Sequence, residues 1–194
     1  MTVEGASASL LGDLLADFEA ELRKQRVPVD RLLVPPASPD TVGKQFAEIG
    51  LNPPDEAVTL FGWCNGIAPG LGLAFPVFES VPLDGMTRWY KTWRLGLGEW
   101  DWNPNWVQVM GGKYGLAMSC AEEPDQPPLV RSVEDSWGTQ DWQTDHQVVS
   151  LCTPVTWWID AMRRGWYIYD PSARAWDRSG ASLVPLPISV YGMS

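Results

Sequence analysis

The chain has 194 residues, of which 45% are hydrophobic and 20% charged, with a formal net charge of −10. That length suits one domain of roughly 150 residues with extensions, and the balance of apolar to charged residues excludes an intrinsically disordered chain. The acidity disfavours contact with phosphate backbones and favours a basic protein partner, and no apolar run approaches the roughly 18 residues of a membrane span.

Residues 10–26 carry Leu11, Leu14, Leu15, Phe18 and Leu22 at helical spacing, with Asp13 and Asp17 early and Arg23, Lys24 and Arg26 late. That order suits an amphipathic helix and its dipole. A second helix starts with Ser38 as N-cap and Pro39 at the first position, buries Val42, Phe46 and Ile49, and closes at Gly50. A third starts at Asn52-Pro53, turns Val58, Phe61 and either Cys64 or Leu60 inward and stops at Asn65-Gly66. A glycine-rich loop follows, then a short strand at Phe75–Phe78. A fourth helix from Pro82 places Met86, Trp89, Tyr90, Trp93 and Leu97 on one face.

Downstream the period shortens. Trp106–Met110 and Tyr114–Cys120 read as a hairpin across Gly111-Gly112. Leu129–Val133 is a further strand, and residues 134–146 fit no element. The last helix takes Thr153 as N-cap with Pro154 behind it, faces Val155, Trp158, Ile159 and Met162 inward, and ends at Gly165. Two short strands are expected at Tyr167–Tyr169 and around Ala175-Trp176. The expected fold is a single α+β domain over 1–194, with an antiparallel-rich mixed sheet of about five or six strands flanked by about five helices. Residues 1–37 form a helical N-terminal extension and 180–194 an extended tail.

Twelve tryptophans are spread over the chain. Rings of that size build cores, and a few at the surface serve as anchors for a partner. Three cysteines, Cys64, Cys120 and Cys152, form no C-x-x-C pair, which fits a reducing, cytoplasmic setting. The first five residues lack a basic stretch and carry Glu4, so no secretion signal is expected.

No catalytic, cofactor or metal site is expected. The single histidine, His146, follows Asp145 directly, and neighbours on an extended chain point to opposite faces. One histidine and scattered cysteines do not make a zinc site. Nucleotide and nucleophile-elbow motifs are absent. Glu99 and Asp101 among Trp100, Trp102 and Trp106 could describe a sugar cleft, although a helix-terminus loop with its rings turned inward explains them as well.

The charge is concentrated. Between Ala121 and Asp145 lie Glu122, Glu123, Asp125, Glu134, Asp135, Asp141 and Asp145 against one base, Arg131, with Trp137 and Trp142 among them. Charge of one sign with interleaved rings suits a surface that steers and then anchors a basic partner. These nine residues, seven acids and two tryptophans, are the expected partner-binding set.

Leu51-Asn52-Pro53-Pro54, Phe61 and Asn65-Gly66 resemble the helix signature of the SUKH superfamily, which includes fungal cell-wall-assembly regulators and bacterial immunity proteins. Phe75-Pro76-Val77-Phe78, then Trp106–Val109 with Gly112 and Gly115-Leu116-Ala117, and then Trp157, Trp158 and Gly165 follow in the same order. The resemblance spans about residues 38–170. It implies a binding fold without transferable catalytic residues, and an immunity-type protein that neutralises a nuclease or deaminase toxin. A regulatory scaffold of the same fold, or a carbohydrate-binding or carbohydrate-acting protein using loop 99–106, are the alternatives.

Overall fold

The computed structural model describes residues 3–68, 79–96, 104–111, 114–120, 130–134, 147–148 and 150–177. Among these, four helices come first: α1 (Val3–Lys24), α2 (Val29–Leu32), α3 (Pro39–Ala47) and α4 (Asp55–Trp63). Strand β1 (Glu79–Ser80) precedes α5 (Leu83–Gly96). Strands β2 (Trp106–Gly111), β3 (Tyr114–Ser119), β4 (Val130–Glu134) and β5 (Gln147–Val148) follow, then α6 (Cys152–Arg163) and the pair β6 (Ile168–Asp170) and β7 (Ala175–Asp177).

The expectation of one mixed sheet of five or six strands with five helices is overturned. The described strands form two separate sheets, one in the order β1-β2-β3-β4-β5 and one made of β6 and β7 alone. Every pairing is antiparallel, so nothing in either sheet is mixed. Six helices form among the described residues, because Val29–Leu32 makes an extra short turn after Pro28. The physical reason for the second sheet lies beside it. Gln25, just past α1, accepts from the Tyr169 amide at 2.8 Å and donates to the Tyr167 carbonyl at 3.1 Å. One side-chain amide thus takes the place of a neighbouring strand on the edge of β6.

α1 begins earlier than its apolar spacing predicts; Leu11, Leu15, Phe18 and Leu22 of the expected stripe have no exposed surface, and Leu14 is partly buried against the core. This face packs on α4 and α6. Phe18 meets Trp63 and Trp158 at ring-centroid distances of 6.2 and 5.8 Å, and the Trp63 indole N–H donates to Glu19 at 3.0 Å. The helix ends on paired bonds, Arg26 N–H to Arg23 O and Val27 N–H to Leu22 O. The same closing pattern recurs at Gly50 after α3 and at Gly165 after α6, as expected from sequence. At α1 the left-handed residue is Arg26, with φ 65°, where glycine is usual.

Helix α3 starts as expected, with the Ser38 hydroxyl accepting from the Thr41 amide at 3.2 Å and Pro39 behind it. Helix α4 does not start at Asn52. Consecutive prolines keep the chain extended through Pro54, which stands at the N-cap with ψ 155°. The helix ends at Trp63 with Cys64 extended at its C-cap, just before the expected Asn65-Gly66 stop, and that pair seats α5. The Asn65 side-chain oxygen accepts from the Leu83 amide at 2.9 Å, and a Cβ on Gly66 (φ 91°) would stand 2.8 Å from the Pro82 nitrogen.

α5 packs on α3 and β2. It buries Met86 and Tyr90, but Trp89 is turned outward with 41% of its surface exposed. The hairpin forms as read, with a register shift between Gln108 and Met110. The Gln108 side-chain amide donates to the Met110 carbonyl at 3.0 Å across that bulge. Trp106 through Met110 are all buried, so both faces of β2 are covered. The expected strand at Phe75–Phe78 and the tail from 180 lie outside the described residues. Among the described residues no helix is long and apolar enough to cross a membrane.

Candidate functional site

Of the nine expected partner-binding residues, Glu122, Glu123, Asp125, Asp135, Trp137, Asp141, Trp142 and Asp145 lie outside the described residues, as do His146 and residues 99–103. Glu134 is the last residue of β4, opposite Tyr114. The sheet fixes where the acidic segments attach. Residues 121–129 connect the end of β3 to the start of β4, where Met118 faces Val130. The Cys120 amide donates to the Asn105 carbonyl at 2.6 Å just before that connection. Residues 135–146 leave from the far end of β4 and rejoin the sheet at Gln147, opposite Arg131. The two acidic stretches therefore start from ends of β4 about 13 Å apart, at 3.3 Å per residue.

The described residues contain one buried polar constellation that the sequence reading missed. Glu56, in the first turn of α4, has no exposed surface. Its Oε2 accepts from the Leu151 amide at 2.8 Å, and its Oε1 accepts from the Ser150 hydroxyl at 2.6 Å and from the Ser7 hydroxyl. Ser7 and Ser150 are 3.1 Å apart, and the Ser150 hydroxyl accepts from the Cys152 amide at 3.0 Å. The Cys152 thiol donates to the Ser7 carbonyl at 3.4 Å. Every partner of the carboxylate among these bonds is a neutral donor. What makes burial tolerable is position: the group lies in the first turn of its own helix and against the start of α6, and helix N-termini favour negative charge.

This arrangement also corrects the expected start of α6. Thr153 was the expected cap, but the helix begins at Cys152 behind Leu151, which makes no side-chain cap bond. Ser150 and Glu56 satisfy the first amides instead. A glutamate from another helix is invisible to local capping rules. The available signal was a carboxylate beside the apolar run Ala57–Phe61, on the helix's inward side.

The cluster fastens the start of α6 to α4 and to Ser7 of α1. Burial raises the Cys152 thiol above its ordinary range, and the nearby Glu56 charge adds to that. Burial pushes Cys120 up to about 12. Neutral thiols are poor nucleophiles. None of Cys64, Cys120 and Cys152 forms a disulfide among the described residues. Among the described residues no group of three or more His, Cys, Asp or Glu side chains could hold a metal ion. Trp106, part of the proposed sugar loop, is only 9% exposed and belongs to the core.

A second polar contact ties α1 to α6. Arg163 donates to Glu21 at 2.8 Å and to Asp17 at 3.5 Å. The Arg163 hydrogen bond holds the Glu21 carboxyl below its usual range.

The described residues thus define an α+β protein whose helices converge on a buried carboxylate and whose acidic segments attach around β4. No protein-family model matches the chain, and no curated protein matches it.

Proposed function

We propose that the chain is a protein-binding module of the immunity type, which neutralises a toxin of the nuclease or deaminase class through its acidic segment. The observation that carries this reading is the charge distribution: seven acids against one base between Ala121 and Asp145, with Trp137 and Trp142 among them. That segment supplies six of the ten net negative charges. A field of one sign speeds encounter with a basic partner, and tryptophan rings anchor it once docked. The order of motifs resembling the SUKH superfamily supports a binding role over a catalytic one. Thiols raised by burial at Cys120 and Cys152 and a carboxylate that accepts from neutral donors support the same preference. Cysteines outside any disulfide among the described residues suit a reducing, cytoplasmic setting.

The test is affinity capture from the native host with the intact chain as bait. The proposal expects a basic toxin domain to be retained at low salt and released as salt rises. Capture of no toxin, together with no toxin gene beside this one, would overturn it.

A further inference from the structure

We draw no further inference here: the strongest candidate, the exposed face of α5 that carries Trp89 between Arg88 and Lys91, already pairs both cations with Asp84 and Glu48, and nothing in the structure shows what covers the ring.

Discussion

Replacing Glu56 by alanine probes the buried constellation most directly. The Leu151 amide, at a residue with no exposed surface, would lose its acceptor. A stranded buried donor costs about 1–3 kcal/mol, a range that includes the loss of a helix cap at about 1 kcal/mol. The one buried methylene that is lost, Cγ, adds about 0.8 kcal/mol. The Ser7 and Ser150 hydroxyls, 3.1 Å apart, can turn to each other and recover part of their bonding. Removing a buried charge that has only neutral partners returns some desolvation energy. The expected net loss is about 1–3 kcal/mol, and at roughly 2–4 °C per kcal/mol for a chain of this size Tm falls by roughly 2–12 °C. Glu56→Gln keeps the shape but sets an amide donor among donors, and costs less, about 1–2 kcal/mol. The assay is thermal and urea unfolding followed by circular dichroism. Sodium formate, at fixed ionic strength, should then raise the Tm of Glu56→Ala and leave the wild type unmoved, because a free carboxylate can refill the cradle. A loss below about 1 kcal/mol, or an equal formate response in both proteins, would refute the reasoning.

Gln25→Ala removes both bonds to the edge of β6; the expected loss is about 1–2 kcal/mol, and hydrogen exchange at the Tyr169 amide should speed up more than at Leu15, in the middle of α1. Gly66→Ala forces a Cβ to within 2.8 Å of the Pro82 nitrogen at a positive φ, so a loss of about 2 kcal/mol or more is expected in urea titration, whereas Gly43→Ala, with open space around it, should cost no stability. Glu21 titrates below its unfolded value of 4.5, so it contributes stability above that pH and loses it as pH falls through the folded value. The Glu21→Gln variant should therefore be less stable than wild type at neutral pH, and the gap should close in acid; a gap that persists at the lowest pH would contradict the ion-pair account.

Local rules sufficed where a residue answers to its neighbours in sequence. Ser38-Pro39 opens α3, Gly50 and Gly165 close their helices, and the hairpin from Trp106 to Ser119 forms where apolar runs flank two glycines. The α1 stripe was legible because its spacing matches one helix face. What escaped depends on contacts across the chain. Glu56 caps α6 from 95 residues away, and Gln25 occupies the edge of β6 from 144 residues away. Trp89 looked like a core ring because it shares a period with Met86 and Trp93, yet α5 offers its inner face through Met86 and Tyr90. In the acidic segment, the charges were readable from sequence, and the sheet adds their attachment points around β4.

The central claim is that the acidic segment binds a basic protein. Isothermal titration of the captured partner against wild type and against the chain carrying Glu134→Lys, Asp135→Lys and Asp141→Lys tests it most directly, at about 0.05 M and about 0.5 M salt. The account predicts tight wild-type binding that weakens with salt and a reversed variant, folded by circular dichroism, that binds at least about tenfold more weakly at low salt. Equal affinity of the two proteins, unchanged by salt, would contradict it.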